Sequence, residues 1–96
     1  MVRENLNELH LQILTHLSQR YRDGPRNRYE GPAEHTQPGI AEAVGRVRSN
    51  VANHLADLIA REMIVIHRLH AEPLGRRRQV YFITPTGLAF LSEHHA

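Results

Sequence analysis

The chain has 96 residues, 41% of them hydrophobic, which suffices for one modest core and excludes a disordered chain. It contains no cysteine, which rules out disulfides, thiolate metal sites and cysteine nucleophiles. Net charge is only +2, but all 12 basic residues are arginine and they cluster: Arg20, Arg22, Arg26 and Arg28, then Arg46 and Arg48, then Arg76, Arg77 and Arg78.

Arginine is planar, permanently charged and able to hold a phosphate bidentately. Three such clusters on one small domain point to a polyanionic partner rather than to ordinary surface solvation. The opening stretch, MVRENLNELHLQIL, interleaves polar residues with apolar ones and does not read as a signal peptide. No run approaches the length of a membrane helix, so the expectation is a soluble cytoplasmic protein without a membrane partner.

Leu6, Leu9, Ile13 and Leu17 recur at spacings of three and four, with Leu14 widening the stripe, which predicts an amphipathic helix from about Asn5 to Tyr21. Asp23-Gly24-Pro25 ends it. Residues 22–35 read as a loop whose tail, Tyr29 to Pro32, adds a short edge strand. Thr36 is placed to cap a second helix, with Pro38 in its first turn, where a missing N–H does no harm. Ile40, Ala41 and Val44 form that helix's buried face, and Gly45 ends it as a left-handed cap.

A third helix runs to about Glu62 with Val51, Leu55, Leu58 and Ile59 pointing inward. At 100° per residue Asn50, Asn53, His54, Asp57 and Arg61 fall on the other side. Met63–Leu69 and Val80–Thr84 read as strands, joined through HAEPLGRRRQ into a hairpin with a long basic tip. Thr84-Pro85 opens a short C-terminal helix carrying Leu88, Phe90 and Leu91. The expected core is Leu6, Leu9, Ile13, Leu17, Ile40, Val44, Val51, Leu55, Leu58, Ile66, Val80, Phe82 and Leu88.

Two short helices joined by a glycine turn make a minimal helix-turn-helix. Ala41 is the small residue at the crossing, Gly45 the turn former and Val51 the early apolar anchor. A hairpin with basic residues follows at once. The stretches TQPGIAEAVGRVRSNVANHLADLIAREMIVIHR and RRRQVYFITPTG resemble the winged helix-turn-helix domains of prokaryotic transcription regulators. They are similar to the MarR-like and ArsR-like groups, and particularly to archaeal members of that superfamily. The likeness covers about residues 36–88; the first helix fits by pattern only.

The resemblance implies an α+β fold: a three-helix core, a small antiparallel β-hairpin wing and a short C-terminal helix in a single domain. The helix-turn-helix would span about 36–62, the wing about 63–84 and the last helix about 85–94. It implies sequence-specific binding of double-stranded DNA by a transcription regulator, with the third helix in the major groove and the wing on the backbone. Arg48, Ser49, Asn50, Asn53 and His54 would face the groove, and Arg46 would also belong to the DNA-binding set. Thr36 and Gln37 would offer helix N–H groups to a phosphate, and Arg76, Arg77 and Arg78 would ride on the backbone. A homodimer, formed through the first and last helices, is implied by analogy.

One departure stands out. Such domains usually have an apolar residue and then Ser or Thr after the turn glycine, but here the pair is Arg46 and Val47. The third helix is therefore expected to begin late, with Ser49 as its cap. The eight histidines suggest no metal site: His67 and His70 would not share a strand face, His94 and His95 are adjacent, and all are read as scattered on the surface. No nucleophile, base and oxyanion arrangement is present, so neither an enzyme nor a cofactor is expected. The alternatives are an adaptor or RNA-binding winged helix, or the N-terminal DNA-binding module of a larger protein.

Overall fold

The computed structural model describes residues 6–71 and 75–94. Its elements in order are α1 (Glu8–Ser18), β1 (Glu30–Gly31), a single 3-10 turn (Ala33–His35), α2 (Gln37–Val44), α3 (Arg48–Ala60), β2 (Ile64–Ala71), β3 (Arg77–Ile83) and α4 (Pro85–His94). The sheet order is β1-β2-β3. β1 runs parallel to β2 through Glu30↔His70 and Gly31↔Ala71, and β2 and β3 pair antiparallel from Ile64↔Ile83 to His70↔Arg77. No helix among the described residues is long and apolar enough to cross a membrane.

α1 starts on Asn7, whose side chain accepts from the His10 N–H while His10 Nδ1 accepts from the Asn7 N–H. The helix stops at Ser18, short of the Tyr21 expected, and the expected start at Asn5 lies outside the described residues. Its stripe of Leu9, Ile13, Leu14 and Leu17 packs against Ile40, Val51, Leu55 and Leu58 of α2 and α3. Ile64, Tyr81 and Ile83 close this core from the sheet, and Leu91 of α4 joins it.

Leu69, Val80 and Phe82 face the other side of the sheet and form a second small cluster with Tyr21. The chain crosses this face between β1, at the β2 edge, and Thr36, which bridges Val80 at the β3 edge. Gly31 lies close over Leu69 and Val80, where a Cβ would come within 2.9 Å of the leucine side chain. His35 packs its ring 5.4 Å from that of Phe82.

Three expectations are corrected. Ile66 is 38% exposed and Ile64 supplies the core position instead; Tyr81, the cross-strand partner of Ile66, is buried, so at this height the helical layer covers β3 and leaves β2 open. Two histidines are not on the surface: His10 is 5% exposed and His35 only 1%. β3 begins at Arg77 rather than Val80, so most of the basic triplet belongs to a strand and not to a long tip.

Candidate nucleic-acid interface

Thr36 sits in extended backbone at the start of α2 and accepts the Gly39 N–H through its hydroxyl oxygen, 3.3 Å away. The same hydroxyl donates to the Ala33 carbonyl at 2.6 Å, which fixes α2 to the segment before it. Gly39 has no room for a side chain: a Cβ would collide with the Ala33 carbonyl oxygen and lie 2.7 Å from Glu34 Cα. At the far end Gly45 has φ 70°, and the N–H groups of Gly45 and Arg46 both donate to the Ala41 carbonyl.

α3 begins at Arg48, with Val47 in the capping position and no side-chain cap bond. Ser49 is therefore inside the first turn and is not the expected cap. Val51, Leu55 and Leu58 lock one side of α3 into the core. Directly opposite, at spacings of four, three and four, lie Ser49, Asn53, Ala56 and Ala60. Arg48 flanks this face on the α2 side, where Gln37 Nε2 donates to the Arg48 carbonyl at 3.4 Å.

The other flank turns toward α1. His54 Nδ1 donates to the Asn50 carbonyl at 2.8 Å, and its Nε2 accepts from Asn7 Nδ2 at 3.1 Å. Its ring packs against that of His10, tilted by 47° with centroids 4.3 Å apart. His10 Nε2 lies 2.9 Å from Asp57 Oδ2, and Arg61 Nε donates to Asp57 Oδ1 at 3.1 Å. Burial, reinforced by the neighbouring His54, lowers the pKa of His10 despite Asp57. Partial desolvation opposes ionisation of Asp57, but the hydrogen bond and charge of Arg61 outweigh it and hold the carboxyl below its usual range. His54, Asp57 and Arg61 thus serve the α1–α3 junction, and His54 is not presented with Ser49 and Asn53.

Arg77 and Arg78 pair with His70 and Leu69 in the ladder, with Arg76 immediately before them. As consecutive strand residues Arg77 and Arg78 point to opposite faces. Arg78 lines a cleft of about 250 Å³ together with Thr36, Gln37, Pro38, Arg48, Gln79 and Tyr81. The cleft brings two of the three arginine clusters to the N-terminus of α2. Arg46, Asn50 and Asn53 are exposed beyond it, on the turn and on α3.

Gln79 and Tyr81 were not expected here. The Tyr81 hydroxyl donates to Gln79 Oε1 at 3.2 Å, and burial raises the pKa of the phenol. Tyr81 lies in the strand expected over Val80–Thr84, but nothing in the local sequence marks Gln79 as its continuation beside the basic cluster.

No family model matches the chain, and no curated protein sequence does so either. Among solved structures it is similar to a mutant of S. aureus MepR, with a TM-score of 0.70 and 21% identity over 95% of this chain and 57% of that one. A crystal structure of the S. aureus MepR–DNA complex gives a TM-score of 0.68 at 21% identity, covering 95% of this chain and 58% of the other. This chain therefore spans a little over half the length of those MepR chains. The fold is the winged helix of MepR, with helix-turn-helix α2–α3 and wing β2–β3.

Proposed function

We propose that this winged helix binds double-stranded DNA sequence-specifically as a transcription regulator, with α3 in the major groove and the arginine-bearing hairpin on the adjacent backbone. The observation that carries this reading is the shared cleft: Arg48 and Arg78, thirty positions apart, meet at the capped start of α2. A helix N-terminus flanked by two guanidinium groups favours a phosphate. From that anchor, the exposed Ser49, Asn50 and Asn53 are carried on a helix whose other side is fixed in the core, as base readout demands. That a DNA complex is known for MepR, a protein of the same fold, supports the same assignment.

Gln37, Arg46, Arg48, Arg76, Arg77 and Arg78 then supply phosphate contacts, and Ser49, Asn50 and Asn53 the base contacts. Thr36 is left out, because it is buried and its hydroxyl and N–H are already engaged within the fold. His54 is left out, because Asn7 and Asn50 already engage it. One domain meets one half-site, so the working unit is a symmetric dimer on pseudo-palindromic DNA.

The test is a set of affinities for wild type, an Arg76/Arg77/Arg78 triple alanine variant and Asn53→Ala, on preferred and random duplexes at several salt concentrations. The triple variant should weaken binding to all duplexes alike and flatten the salt dependence by about one unit for each phosphate no longer neutralised. Asn53→Ala should cost about 1 to 3 kcal/mol on the preferred site and much less on random DNA. Indifference of both variants would turn the assignment toward an adaptor. Sedimentation of the complex checks the dimer.

A further inference from the structure

The start of α3 breaks a rule that the other α-helices of the described residues obey. Asn7, Thr36 and Thr84 each accept a backbone N–H from the first turn of α1, α2 and α4. At α3 the corresponding residue is Val47, which makes no such bond. Its backbone, φ −71° and ψ 151°, is the extended conformation a capping serine or aspartate adopts, so the position would accept a proper cap. Val47 gains no compensation from the core: it is 69% exposed, the most exposed large apolar side chain among the described residues. It stands between Arg46 and Arg48, both exposed.

An isopropyl group held in water, at a site where a hydroxyl would stabilise the helix, is unfavourable for folding on both counts. Such local conflicts are expected where a residue serves an external contact. Resting on the DNA-binding reading above, we propose that Val47 is a specificity-determining residue that packs on the C5-methyl group of a thymine in the major groove. N-terminal residues of a recognition helix are those that reach base edges, and the thymine methyl is the apolar feature the major groove displays. The flanking guanidinium groups hold the backbone on either side, and the stub side chains of Ala52 and Ala56 further along α3 leave the approach uncrowded.

The experiment uses the preferred duplex selected by the full chain, with each thymine replaced singly by deoxyuridine, which removes only the methyl group. Wild type should lose about three- to five-fold in affinity at one thymine of each half-site, the worth of one buried methyl. Val47→Ser should show a similar loss on the unmodified duplex and no further loss when that thymine becomes deoxyuridine. Its melting temperature should rise by about 5 °C through the new cap, which separates weakened base recognition from a damaged fold. If wild type binds DNA yet no deoxyuridine matters, or if Val47→Ser keeps the sensitivity, the role given to Val47 is wrong and DNA binding stands. If wild type prefers no duplex over another, the sequence-specific reading falls and the role of Val47 falls with it.

Discussion

The first turn of α2 is tied down from several directions, whereas the first turn of α3 is left open. Before α2, His35 is buried and its Nδ1 donates to the Tyr81 carbonyl at 2.8 Å; Thr36 caps the helix and bridges β3; Gly39 lies against the backbone of Ala33 and Glu34. Before α3, Arg46 and Val47 are exposed and no side chain caps the helix. The two starts lie eleven residues apart and belong to one motif, so the contrast is not one of distance from the core. At α2 the residues satisfy the fold, and at α3 they present chemistry outward.

Acid should affect the α2 side most. Burial lowers the pKa of His35 to about 4; the hydrogen bond to Tyr81 and the charge of Glu34 offset this only in part, and His16 and Arg20 add to the lowering. Between the unfolded value of 6.5 and that folded value, the unfolded chain takes up a proton that the native state refuses. The contribution of His35 should therefore be full above about pH 6.5, fall as pH drops toward about 4 by up to roughly 3 kcal/mol, and level off below. His10, also lowered, contributes in the same direction from the α1–α3 junction. Denaturant unfolding across that range checks the expectation, and a flat profile would erase the contrast at its largest point.

Gly39→Ala comes next, with a loss of about 1 to 3 kcal/mol, because the new methyl meets backbone atoms that cannot rotate away. The helix-propensity gain of alanine offsets part of it. Thr36→Ala should cost about 1 kcal/mol through the lost cap. The matching change at α3, Val47→Ala, should stay within about 0.5 kcal/mol of wild type, as for an ordinary surface site. Thermal or denaturant melts of the three variants suffice, and a Val47→Ala loss as large as that of Thr36→Ala would abolish the distinction.

Much of this was readable from local chemistry. The stripes Leu9-Ile13-Leu17 and Val51-Leu55-Leu58 announce their helices because burial on one side imposes the period. Thr36, Gly45 and Thr84 could be identified because a cap acts within one turn. What escaped depends on distant partners. The burial of His35 rests on a carbonyl 46 residues away, and the diversion of His54 rests on Asn7, 47 residues away. Ser49 was the better capping residue by preference, yet the helix begins before it. Arg77 and Arg78 looked like loop because polar residues on a thinly covered hairpin lack the apolar alternation that marks a strand.

That Arg77 and Arg78 are strand residues also bears on the thermodynamics of any association. Ordering a floppy loop on a partner gives up about 1 to 2 kcal/mol of backbone entropy for each residue fixed. Pairing with His70 and Leu69 has already removed that freedom during folding. Only the rotamers of the two side chains remain to be frozen when a polyanion arrives. In a calorimeter such a wing should behave as a pre-shaped edge, with a smaller entropic penalty than a disordered arginine tail of equal charge would incur.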